Sequence, residues 1–172
     1  MKIYTDASTR KNNSGIAFVV TDARNREIFR DAAVVEESDN NTAELRAILF
    51  ALVSVKDTKE HITLLTDSSY AIHAIRNGSY RPNEKIILDN ISERLEALNC
   101  HVMWIKGHCQ DGTVLSYYNK QADKSAKEIR KRYENMLLQQ KKQKIQEIRN
   151  QYMKNSKKNK KQKFIPKNNS RE

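Results

Sequence analysis

Two cysteines, two prolines, four glycines and a single tryptophan are all that 172 residues hold of these types. A pair of cysteines, Cys100 and Cys109, is too few for a disulfide-stapled scaffold. No apolar stretch approaches the ~18 residues of a membrane span or has the form of a secretory leader. The expectation is a soluble, cytoplasmic protein without a membrane partner. With prolines only at 82 and 166 and no internal repeat, domain boundaries have to be read from charge and apolar patterning. Charge is plentiful and lopsided: 32 Lys and Arg against 21 Asp and Glu give a net +11, which points to an anionic partner. Residues 127–172 carry 16 basic and 4 acidic side chains, net +12, which leaves residues 1–126 at net −1. The composition breaks near Lys127. We read residues 1–130 as a folded domain and 131–172 as a basic helical extension ending in a disordered tail.

Within the first part, hydrophobic periodicity predicts strands at KIYTDAS, GIAFVVTD and REIFRDAAVV, joined by short connections with a turn at 22–25, and so an antiparallel meander. AELRAILFALVSV follows, with Leu45, Ile48, Leu49, Leu52 and Val53 on one helical face and Thr42 or Asn41 as N-cap. ITLLTD is a strand after a helix, which favours a parallel crossover. SSYAIHAIRNG is a short helix closed by Gly78, and Pro82 opens another, with Ile87, Ile91, Leu95 and Leu98 along one face. HVMWIK is the fifth strand and KGHCQDGTVLSYY a polar loop. NKQADKSAKEI starts a last helix, which the recurrence of Ile129, Tyr133, Met136, Leu137, Ile145, Ile148 and Tyr152 extends to about Tyr152. The expected fold is α/β: a five-stranded mixed sheet flanked by helices, in the order βββαβααβα.

Four acidic residues stand out in this scheme. Asp6 interrupts the first strand, Asp67 ends the fourth, Glu44 lies in the first turn of the helix between them, and Asp123 lies one turn into the last helix. A carboxylate in a central strand is costly unless something compensates it. If the first and fourth strands are neighbours, the four converge. Such a cluster repels itself, and a hard divalent cation bound through oxygen, Mg²⁺ beside phosphates, is the natural remedy. Zinc is a poor alternative, because a strand of about six residues holds Cys100 and His101 roughly 20 Å from His108 and Cys109.

The segments IYTDAS, NNTAEL, LLTDSSYAI, WIKGH and NKQAD, in this order, resemble ribonuclease H of the type I family over roughly residues 1–130. The resemblance implies endonucleolytic cleavage of the RNA strand of an RNA/DNA hybrid by two Mg²⁺ ions, with Mn²⁺ as a possible substitute. Carried over by motif, Asp6 would bridge both ions, Asp123 would help hold the one that activates water, and Glu44 and Asp67 would hold the other. His108 would assist proton transfer or product departure. Asn40 and Asn41 would touch the nucleic acid, with RNA recognised through its 2′-hydroxyl.

Ala7 and Ser69 stand where many relatives carry Gly and Gln. The short path from Asn77 to Pro82 leaves no room for the basic protrusion with which some relatives grip the hybrid. The basic extension is the substitute on offer, through phosphate contacts that release counterions. Two other classes fit the same residues: a catalytically silent hybrid-binding module, and another nuclease or strand-transfer enzyme of the same superfold.

Overall fold

A computed structural model describes residues 1–55, 60–79, 81–107, 109 and 111–162, the last seven by backbone alone. The chain alternates β1 (Lys2–Arg10), β2 (Asn13–Thr21), β3 (Glu27–Val35), α1 (Asn40–Ser54), β4 (Ile62–Thr66), α2 (Ser69–Asn77), a 3-10 turn (Pro82–Glu84), α3 (Lys85–Ala97), β5 (Cys100–Trp104) and α4 (Val114–Gln162). The strands form one five-stranded sheet in the order β3-β2-β1-β4-β5. β1 to β3 pair antiparallel, and β1, β4 and β5 pair parallel, as the connections between them predict. At the expected turn, Asn25 takes the left-handed backbone (φ 58°) that asparagine tolerates, and its N–H bonds Asp22 O.

The alternation of β1 sends successive side chains to opposite faces. Ile3 packs with Phe18, Leu45, Ile48, Leu52, Leu64 and Ile91 in the core under α1 and α3. Full burial of each such side chain is worth about 1.5–3 kcal/mol. Tyr4 points the other way, into a smaller cluster with Val19, Leu65, Tyr118 and Ala122 of α4. Gly15 is what lets α4 approach β2, because a Cβ there would lie 2.0 Å from Ala126 O.

Three of the boundaries that differ from the sequence reading have a local physical cause. The N-cap of α1 is Asp39, whose Oδ1 accepts from Thr42 N at 2.9 Å, so Asn40 and Asn41 are the first helical residues. α4 starts at Val114 rather than Asn119. Asp111 explains this, since its Oδ1 accepts from the Thr113 backbone and from the hydroxyls of Thr113 and Ser116, ordering a segment that looks like plain polar loop. The same helix runs to Gln162, ten residues past Tyr152. Five of its ten residues there are lysine, a good helix former that needs no core. The chain divides into two compact units, Met1–Tyr133 and Glu134–Glu172. In the second, Leu138, Ile145, Ile148 and Tyr152 are exposed. Among the described residues no helix is long and apolar enough to cross a membrane.

Candidate active site

The site follows from strand register. β1 pairs with β4 through Lys2–Thr63, Ile3–Leu64 and Tyr4–Leu65. Continuing that step brings Asp6 level with Asp67, the first residue past the end of β4. Glu44, one turn into α1, completes the group: one carboxylate oxygen from each of Asp6, Glu44 and Asp67 lies within 4.8 Å of the other two. Asp6 and Glu44 are buried, Asp67 half-buried. They line an open cleft of about 560 Å³ with Ala7, Asn40, Asn41, Asp123 and Lys127.

Burial and mutual repulsion dominate the electrostatics. Burial first, then the Asp67 and Asp123 charges, push Asp6 up to about 8, against the pull of the Ala7 N–H (2.7 Å) and the Lys127 ammonium. Glu44 is raised well above the usual carboxylate range by burial, then by Asp6 and Asp67. Its Oε2 is buried without a hydrogen-bond partner. A buried lone pair, an all-oxygen donor set and carboxyls held unwillingly in their neutral form suit a hard divalent cation. The thiols of Cys100 and Cys109 are free and form no part of the group.

Asp67 is held from three sides by residues that the sequence reading passed over. Asn119 of α4, 4% exposed, donates Nδ2 to Asp67 Oδ2 at 3.1 Å. Trp104 at the end of β5 donates Nε1 to the Asp67 carbonyl at 3.0 Å. Gly107 packs so tightly that a Cβ would lie 2.3 Å from Asp67 Oδ2. Asn119 and Gly107 belong to NKQAD and WIKGH, and their signal was there in the motifs once Asp123 and His108 had been picked out of them.

The start of α1, which carries Asn40, Asn41 and Glu44, is fixed by a polar cluster around Glu84. The Glu84 carboxylate is fully buried and accepts from Thr42 Oγ1 at 2.7 Å, from Tyr70 OH at 2.5 Å and from the Ser79 hydroxyl. Burial alone would raise its pKa, but those bonds outweigh it and hold the group below the usual range. Arg81 joins the cluster to the helix cap through Asp39 Oδ1 at 2.6 Å and stacks over the Tyr70 ring. No periodicity marks Glu84, because its partners lie far away in the chain.

The fourth expected carboxylate is not one of the three within 4.8 Å of one another. Asp123 lines the cleft, but its oxygens are engaged by Lys127 one turn further along α4. Asp6, Glu44, Asp67 and Asp123 line one cleft, the first three with oxygens within 4.8 Å of one another. His108 lies outside the described residues; its neighbour Gly107 lines the cleft.

A profile of the RNase H family matches residues 1–131. A Ribonuclease H of Schizosaccharomyces pombe is 27% identical over 145 residues, which are 73% of this chain and 51% of that protein. The chain thus spans about half the length of that curated relative. Among solved structures, LC11-RNase H1 in complex with an RNA/DNA hybrid superposes with a TM-score of 0.65 at 22% identity, over 77% of this chain and 97% of that one. RNase H1 of the halophilic archaeon Halobacterium salinarum superposes with a TM-score of 0.63 at 19% identity, over 74% of this chain and 95% of that one. At these identities the likeness is one of fold.

Proposed function

Because the chain belongs to the RNase H family, we propose that it hydrolyses the RNA strand of RNA/DNA hybrids with the help of divalent cations. The observation that carries this reading is the trio of Asp6, Glu44 and Asp67, with oxygens within 4.8 Å of one another in a cleft that also holds Asn40, Asn41 and Asp123. A silent binding module has no use for buried carboxylates facing phosphates, and the complete set therefore favours an enzyme over a mere binder.

Asp6, Glu44 and Asp67 would hold one Mg²⁺, and Asp6 with Asp123 a second; Mn²⁺ has the same preference for oxygen ligands. Paired ions supply charge neutralisation at the attacking and departing oxygens of an in-line displacement. The protein's own contribution is positional. Asp39 and the Glu84 cluster present Asn40 and Asn41 at the rim of the cleft, where their amides can bond the nucleic acid backbone. Asn119, Gly107 and Trp104 keep the Asp67 carboxylate aimed at the trio. His108, next in chain to Gly107, is assigned proton transfer or product departure.

The basic extension is assigned the grip. Residues 127–172, which include the extension, are net +12 and residues 1–126 net −1, so phosphate affinity is assigned mainly to the extension. The reading is tested by incubating the protein with Mg²⁺ and labelled RNA/DNA hybrid, double-stranded RNA or duplex DNA. Cleavage confined to the RNA strand of the hybrid supports it.

A further inference from the structure

Among the described residues that line the cleft, Lys127 is the one cation. Lys127 Nζ lies 2.6 Å from Asp123 Oδ1 and 2.7 Å from Oδ2, so it takes up both oxygens of the carboxylate outside the trio. It reaches far enough to lower the pKa of Asp6 as well. Lys127 is 45% exposed and Asp123 18% exposed, and both line the cleft with Asp6, Glu44 and Asp67. The ammonium thus occupies the Asp123 carboxylate that a second divalent ion would need.

We propose that Lys127 is a displaceable counter-ion that competes with a divalent cation for Asp123, so that the position at Asp6 and Asp123 fills weakly until a substrate phosphate offers Lys127 another partner. The physical reason is an exchange of ligands. An ion entering beside Asp123 must break the contact with Lys127 and then sit next to an unpaired positive charge, which repels it. Within the trio, Glu44 Oε2 has no hydrogen-bond partner and Asp67 Oδ2 accepts from the neutral amide of Asn119. A phosphate brought in by the nucleic acid relieves the repulsion, because Lys127 can swing on its flexible stem from carboxylate to phosphate. Metal and hybrid then assist one another by linkage. An ordinary helical Asp–Lys pair four residues apart would stabilise α4 slightly and leave metal binding alone. The inference rests on the metal-dependent reading above.

The test is a titration of Mn²⁺ alone into the full-length protein without nucleic acid, followed by calorimetry and by the paramagnetic resonance of free Mn²⁺. The parent protein is expected to bind one ion tightly and a second weakly. Lys127→Gln should tighten the weak position about fivefold, the scale of a partly exposed ion pair, and leave the tight one unchanged. Lys127→Arg should behave like the parent, and in an Asp123→Asn background Lys127→Gln should have no effect on the weak position. A weak position unchanged by Lys127→Gln, or both positions tightened equally, overturns the competition while leaving the metal reading intact. A parent protein that binds no Mn²⁺ overturns both.

Discussion

Asn119 Nδ2 donates to Asp67 Oδ2 at 3.1 Å, from a side chain on α4 that is 4% exposed, to a carboxylate at the end of β4. The bond ties the third member of the trio to an element that otherwise packs on the opposite face of the sheet. Asn119→Ala should weaken metal binding or turnover by about 10- to 100-fold, the range for residues that orient metal ligands. Circular dichroism should show the fold retained. A variant with the parent's Mg²⁺ dependence and turnover would mean that Asp67 needs no such support.

Gly107 makes a sharper separation between fold and function. A Cβ at this position would overlap Asp67 Oδ2, the movable end of a side chain, and not backbone. Gly107→Ala should therefore cost little stability, because the carboxylate can turn away, but should cost most of the activity, because the turn takes Asp67 out of the trio. Thermal melts and initial rates on the same preparation check the two halves.

Asp6 predicts a pH dependence whose direction follows from linkage. Its pKa in the folded protein is about 8, raised by burial and by Asp67 and Asp123, against about 4 in the unfolded chain. The folded state therefore holds more protons between these values. Without metal, stability should be highest at the acid end of that window and fall as pH rises through 8. Asp6→Asn removes the charge that causes the loss, so the variant should melt at or above the parent temperature at pH 8 without metal. The same change should abolish cleavage. Melting curves from pH 5 to pH 8.5, with and without Mg²⁺, check the sign.

How far these relationships could be read in the sequence depends on their range. Asp6 and Asp67 were legible because a carboxylate in an apolar strand stands out, whereas the adjacency of their strands, a condition in the sequence, is supplied by the pairing of β1 with β4. The order of elements was legible from the change of period between two and 3.6. The cap of α1 was misplaced because DNNT offers four capping residues in a row, and only backbone geometry selects Asp39. Glu84 was invisible for a different reason: after a proline at the start of a helix, a glutamate looks like a solvated residue favoured by the helix dipole. Its burial depends on Thr42, Tyr70 and Ser79, which the fold brings together. Lys127 was counted with the basic excess, although its ammonium lies on Asp123.

The division of charge predicts a division of labour. Removing residues 137–172 keeps Asp123, Lys127 and the α4 residues that pack against Tyr4 and Val19. It also removes most of the basic excess. The Michaelis constant for hybrid should rise and its salt dependence flatten, while turnover at saturation changes little, the signature of uniform binding. Steady-state rates from low to moderate salt measure this. Equal salt slopes for the full and shortened chains would assign the extension to a protein partner instead.

The most direct test of the central claim is cleavage of an end-labelled RNA/DNA hybrid by the full-length protein in Mg²⁺, beside Asp6→Asn and a chelator control. Fragments of the RNA strand only are expected, from the parent protein only, and none once Mg²⁺ is chelated. An Asp6→Asn variant that cuts like the parent, or a parent protein that binds the hybrid and leaves it whole, would contradict the claim.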